Sequence, residues 1–206
     1  TRATRVAVVT SPSRRRRTPM LPEPAHLIAH PGSGRHDDIV GGGRELDGRE
    51  PEERLEREME KVYELYIKTT PDRLWEAVTD PEIRAKYQFG AAANSEWTLG
   101  APISLDVAKH GVHLGEGEVL EVDPPRRLVH TVVALWDDDV RAEGTSRVTW
   151  EIEAVGDSCH LTVTHDKMRE GANAELYGGW PMILSGLKTW LETGELLTTP
   201  GSLRYA

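Results

Sequence analysis

The sequence predicts an α+β domain in which one antiparallel sheet buries a single face beneath a long C-terminal helix. Three observations predict it. In the stretch GGWPMILSGLKTWLETGE, 178–195, Trp180, Ile183, Leu184, Leu187, Trp190 and Leu191 share one helical side, and Ser185, Lys188, Thr189 and Glu192 the other. The stretches SRVTWEIE (146–153) and CHLTVTHD (159–166) alternate with period two instead: Val148, Trp150 and Ile152 face one way, as do Leu161, Val163 and His165. Between them and upstream, glycine, proline and aspartate turn signals cut the chain into short strands.

The elements follow in order. KVYELYIK (61–68) places Tyr63, Leu65 and Ile67 on one face of a first strand. Thr70 caps a helix with Pro71 in its first turn and Leu74, Trp75 and Val78 on its apolar side. Asp80-Pro81 restarts the chain as a second short helix, PEIRAKYQ, through Tyr87. Six strands are expected at about 94–98, 102–108, 115–123, 127–136, 145–155 and 158–166, with turns such as Asp123-Pro124-Pro125 and Gly156-Asp157 between them. In the terminal helix, Pro181 stands in the first turn, where its missing N–H is harmless, and Gly194 closes the far end in a left-handed conformation. Gly186 lowers helix propensity by about 1 kcal/mol relative to Ala, so a strand or a ligand is expected to approach closely there.

Composition divides the chain. With 206 residues and 38% apolar content it suits one domain plus an appendage, and its net charge of −9 argues against a nucleic-acid role. No apolar run is long enough to span a bilayer, and the single cysteine, Cys159, rules out an intrachain disulfide, so a cytoplasmic protein is expected. Residues 1–58 hold 11 Arg, no Lys and 10 acidic residues, which leaves 14 basic and 24 acidic residues in the remainder. This first part, with Arg14 to Arg17 in a row and Gly41 to Gly43 together, is read as a largely disordered extension. A short exposed helix is expected near 50–60, where Glu50/Arg54 and Glu53/Arg57 are spaced for pairing. Met59 opens the strand pattern, so 1–58 is read as separable from the working domain, 59–196, and 197–206 as a tail.

The entry YIKTTPDRLWEAVTDPE (66–82), the hairpin GEVLEVDPPRRLVHT (117–131), SRVTWEIE and above all GGWPMILSGLKTWLETGE resemble bacterial members of the family named for the activator of the heat-shock protein 90 ATPase. That family belongs to the START, polyketide-cyclase and birch-pollen-allergen (SRPBCC) superfamily. The resemblance covers about 59–196 and implies a helix-grip: a curved seven-stranded antiparallel sheet wrapped on the C-terminal helix, with two short helices after the first strand and usually a cavity between sheet and helix. It implies a hydrophobic small molecule or lipid as partner, with a chaperone and a second copy of the chain as further candidates, and a bacterial stress-response setting. Cofactors are not expected. The co-chaperones of the family carry a separate N-terminal domain, a place taken here by 1–58, and one fold hosts many functions.

The ligand-binding residues expected on this reading are Trp75, Tyr87, His130, Trp136, Trp150, His165, Met168, Trp180, Leu184 and Leu187. Six tryptophans against one phenylalanine is an unusual balance, and flat side chains with a polar edge line pockets as well as fill cores. His165 on an apolar strand face is either a satisfied core histidine or a general acid or base for a cyclase or hydrolase; a non-enzymatic binder is the leading reading. Asp166 cannot reach it, because successive strand side chains point oppositely, and the same rule separates Cys159 from His160. His130 and Trp136 share a face of a stretch apolar on both sides, so either face can be the inner one. Asp106, His110 and His113 near one hairpin lack an obvious further ligand, so no metal is expected. Asp137 to Asp139 is read as a solvated turn.

Overall fold

The computed structural model describes residues 58–199. The disorder read for 1–57, the helix expected over 50–57 and the tail from 200 lie outside the described residues. Within them the chain runs β1 (Glu58–Ile67), α1 (Pro71–Thr79), α2 (Pro81–Tyr87), β2 (Ala92–Asn94), β3 (Pro102–Val107), β4 (Val112–Asp123), β5 (Arg127–Ala134), α3 (Asp138–Arg141), β6 (Thr145–Val155), β7 (Ser158–Arg169) and α4 (Trp180–Thr193). Single 3-10 turns at Ala108–His110 and Ala174–Leu176 join β3 to β4 and lead towards α4.

The seven strands form one open antiparallel sheet in the order β1-β7-β6-β5-β4-β3-β2. From β2 to β7 it is a meander, and β1 closes the far side by pairing with β7, Leu65 opposite Leu161 and Ile67 opposite Cys159. Register shifts at Met59/Lys61, Leu105/Asp106 and Val119/Glu121 mark bulges, which bend strands and raise their twist. Long α4 packs on the inner face with α1 and α2, giving a helix-grip α+β domain. Period-two burial along β7, with Cys159, Leu161, Val163 and His165 all inward, is the alternation that covers one face only. Asp166 on the outer face pairs with Arg147 across the ladder, Nε to Oδ1 2.9 Å.

Local chemistry sets the helix ends. The Thr70 hydroxyl accepts from the Arg73 N–H at 3.4 Å, and the Asp80 carboxylate accepts from the Ile83 N–H at 2.8 Å, each just before a proline that needs no partner for its nitrogen. Gly194 ends α4 at φ 76°, its N–H donating to the Trp190 carbonyl at 2.9 Å. Gly186 does admit a close neighbour, but that neighbour is α2: a Cβ there would lie 3.0 Å from the Tyr87 Cβ. Tyr87 is itself anchored, its hydroxyl donating to the Ala77 carbonyl at 2.7 Å.

Three local expectations are corrected. Residues 58–60, placed at the end of a short helix, begin β1, because β7 runs on to Arg169 and pairs Glu58 with Arg169 and Met59 with Met168. The second strand is short and ends at Asn94, since the chain turns at Trp97, whose backbone is left-handed at φ 49°. Asp137 caps a four-residue helix instead of a bare turn, its carboxylate accepting from the Asp139 N–H at 2.9 Å and the Val140 N–H at 3.4 Å.

Candidate functional site

A cavity of about 510 Å³ lies under the N-terminal half of α4, between the sheet, α4 and the end of α2, and Ala91, Ala93, Gly115, Gly178 and Gly179 are among the residues that line it. Its walls are mostly apolar: Phe89 follows α2, Ile103 and Leu105 come from β3, Leu114 from β4, Val132 from β5, Val148 from β6, and Ile183 from α4. The indole of Trp136, 36% exposed, borders the opening, together with the exposed carboxylates of Glu116 and Glu175.

Two buried imidazoles line the cavity, and each is fully engaged. The Trp180 indole N–H donates to Nδ1 of His165 at 3.1 Å, so that nitrogen is unprotonated. The proton therefore sits on Nε2, which donates to the Ser146 hydroxyl at 2.8 Å; the hydroxyl donates onward to the Val132 carbonyl at 3.3 Å. Across the sheet, the Trp150 N–H donates to Nε2 of His130 at 3.3 Å, which leaves Nδ1 to donate to the Thr131 carbonyl at 3.0 Å. Each tryptophan thus selects a tautomer of its histidine. Burial pushes His165 down to about 4; burial, then the charge of Arg84, pushes His130 down to about 3. Both rings are neutral near pH 7. Proton transfer at His165 would require Trp180 or Ser146 to let go first.

Arg84 is the charged member of the site. It lies on the buried side of α2, three residues before Tyr87, and is 4% exposed. Its Nε donates to the Gln88 side-chain oxygen at 2.6 Å and its Nη1 to the Val78 carbonyl at 3.0 Å, in the last turn of α1. The guanidinium carbon lies 5.6 Å from the Trp150 ring centre and 5.9 Å from that of Trp97, and the Trp97 N–H is held by the Thr79 carbonyl at 2.8 Å. Burial lowers the guanidinium from its ordinary value.

Of the residues singled out from the sequence, His130, Trp136, His165 and Trp180 come together around the cavity. Trp150 stands behind His130 as its donor, and its ring meets that of Trp180 edge-on with centroids 5.3 Å apart. Tyr87, Leu184 and Leu187 pack in the main core, and Trp75 packs half-buried against it. Met168 belongs to a separate small cluster with Ala134, Val140, Ala172 and Leu176. Arg84 and Phe89 were not singled out. The signal for Arg84 was its place on the same helical face as Tyr87 and Gln88, at i+3 and i+4.

The hairpin group behaves differently. His113 Nδ1 bonds to Asp106 Oδ1 at 2.7 Å and Nε2 to Glu116 at 3.2 Å, and these two bonds, the first the larger, raise the imidazole above its ordinary value. It is a charge clamp across the β3–β4 pair. Among the described residues, no group of three or more His, Cys, Asp or Glu side chains is placed to hold a metal ion, and no helix is long and apolar enough to cross a membrane.

No curated protein matches the chain. Among solved structures, CalU16 from Micromonospora echinospora is 21% identical, with 66% of this chain and 77% of that one covered and a TM-score of 0.53. The Aha1 dimer from Colwellia psychrerythraea is 17% identical over 66% of this chain and 98% of that one, at TM-score 0.54. An HSP90 activator from Plasmodium falciparum is 22% identical over 65% and 96%, at TM-score 0.53. At such identities the likeness speaks for the fold. The family model described as Activator of Hsp90 ATPase homolog 1-like protein matches residues 68–192, from the end of β1 to the last turn of α4, and the chain belongs to this family of the SRPBCC superfamily.

Proposed function

We propose that the domain binds a small, largely apolar molecule in the cavity beneath the N-terminal half of α4. The single observation that carries this reading is the cavity itself, about 510 Å³ and lined mainly by apolar side chains. That volume falls in the range of about 300–1,000 Å³ typical of small-molecule sites. The imidazoles support binding over acid–base catalysis, because every ring nitrogen already has a partner. They present ring faces and edges to a ligand while Trp150 and Trp180 keep them in place.

The neutral dye N-phenyl-1-naphthylamine tests the reading. The wild-type chain is expected to take it up saturably with one site per chain, and Leu105→Trp, which puts a large side chain into the cavity, to abolish uptake while melting cooperatively. Absence of uptake by the wild type, or uptake unaltered in the plugged variant, would overturn it.

A second reading, a regulator of a chaperone ATPase in a cytoplasmic stress response, draws support from family membership. Mixing the chain with the chaperone of its host separates the two: a change in ATP turnover together with a co-sedimenting complex supports regulation. Unchanged ATP turnover with no complex would exclude it. Sedimentation of the chain alone reports whether it pairs with itself.

A further inference from the structure

The binding reading leaves the ligand's charge open, and one residue bears on it. A guanidinium carries five N–H donors in a planar fork. For Arg84 the Nε bond to Gln88 and the Nη1 bond to the Val78 carbonyl account for two of them, and Nη2 makes no hydrogen bond among the described residues. No Asp or Glu of the described residues forms an ion pair with Arg84, although the residue is almost wholly buried and lines the cavity. A cation taken out of water without a counter-charge is unfavourable, and part of its solvation here is replaced only by the faces of Trp97 and Trp150.

The surroundings hold the fork in one orientation. Gln88 and Val78 fix the two bonded nitrogens, and both tryptophan rings lie close to the guanidinium. The neighbouring imidazole of His130 is neutral and fully bonded, so it brings no competing charge. The acidic groups near the cavity, Glu116 and Glu175, are both exposed, and Glu116 is bonded to His113. Positive charge therefore lies inside and negative charge outside. A ligand with one acidic group is oriented by this difference, acid inward and apolar body towards the opening at Trp136.

We propose that the cavity takes an anionic amphiphile, an apolar body bearing one carboxylate or phenolate, and that Arg84 is the residue that meets its charge. The inference rests on the cavity being a binding site. A purely structural Arg84 would also hold the Val78 carbonyl at the end of α1, so the test must read ligand charge and not folding alone.

Dodecanoate, dodecan-1-ol and dodecylamine share one chain and differ in head-group charge. Each is titrated below its aggregation threshold into the full chain, with binding followed by calorimetry and by displacement of N-phenyl-1-naphthylamine. Dodecanoate is expected to bind at least about tenfold more tightly than dodecan-1-ol, the value of one charge-assisted hydrogen bond, with dodecylamine the weakest. In Arg84→Gln the dodecanoate and dodecan-1-ol affinities are expected to converge, and Arg84→Lys to restore part of the gap. Equal binding of dodecanoate and dodecan-1-ol by the wild type overturns the role of Arg84 and leaves apolar binding standing. Failure of all three compounds and of the dye removes the binding reading as well. The wild-type panel decides the matter even if Arg84→Gln does not fold.

Discussion

The two halves of α4 carry one apolar stripe into different surroundings. In the C-terminal half, Leu187 and Leu191 are buried in the main core, and just before it, at the middle of the helix, Gly186 brings Tyr87 of α2 into direct contact. In the N-terminal half, Trp180 and Ile183 border a cavity, and Trp180 gives its N–H to a buried histidine. The stripe makes the helix bury that face; what stands opposite decides whether the face is packed or hollow. Tyr87 of α2 stands directly against the helix at Gly186, whereas Ala91, Ala93 and Gly115 help line the space bordered by Trp180 and Ile183.

The largest expected effect belongs to the packed half. Leu187 has 0% exposure, and Leu187→Ala should destabilise the domain by about 2–5 kcal/mol, because the lost transfer energy is joined by a cavity the neighbours cannot refill. Urea denaturation at neutral pH reads this directly. A loss under about 1 kcal/mol would mean that the C-terminal half is as hollow as the other.

Acid should reach the domain through the cavity half. His165 and His130 sit at about 4 and about 3 in the folded chain, below the ordinary 6.5 of an unfolded histidine. Below 6.5 the unfolded chain takes up protons that the folded chain refuses, so this contribution is whole above 6.5 and falls as pH drops towards the folded values. For His165 the fall is on the order of 3 kcal/mol by pH 4. Denaturant midpoints measured from pH 7 to pH 4 should decline more steeply in the wild type than in His165→Gln. His113 acts in the opposite sense, its raised value placing its contribution at low pH and losing it as pH rises through that value; it is 42% exposed, so solvent screening keeps the effect small.

Gly186→Leu comes next. Its side chain would press on the Tyr87 Cβ and backbone, which cannot retreat while the Tyr87 hydroxyl is tied to Ala77, and overpacking of this kind costs about 1–3 kcal/mol. Melting of the variant measures the loss, and dye uptake in the cavity should survive it. Loss of uptake at unchanged stability would show that the two halves are coupled.

What the sequence made legible was direction, and what it concealed was depth. Alternation over 159–166 pointed His165 inward, and helical spacing put Trp180 on the buried stripe, yet neither pattern places two side chains opposite each other, so their hydrogen bond was out of reach. The same limit separates Leu184 and Leu187, on the stripe but in packed core, from Ile183, on the stripe and at the cavity. Gly186 was readable as a close approach, but its partner depends on how α2 crosses α4, which local pattern does not encode. Arg84 was the hardest to read: a charged residue in a short helix suggests a solvated face, and only tertiary packing shows that this one is enclosed by Trp97, Trp150 and the cavity. Cavities are legible in a sequence only as small residues, and small residues have many other uses.

The smallest expected effect sharpens the contrast most. Ile183 lies one helical turn before Leu187 on the same stripe, with a side chain of equal composition, so comparing their alanine variants tests surroundings alone. Ile183 borders empty space on one side, where it has no partner atoms to lose, and shortening it enlarges an existing cavity without opening a new one in close-packed core. Ile183→Ala should therefore cost about 1 kcal/mol, well below the usual range for such a change. The enlarged cavity should also shift binding of N-phenyl-1-naphthylamine, an effect for which Leu187→Ala offers no direct route. Denaturation with and without the dye measures both quantities on the same samples. Equal losses for the two variants, with dye binding unmoved in both, would mean that Ile183 is packed as Leu187 is and that the hollow half of α4 begins nearer its N-terminus, at Trp180.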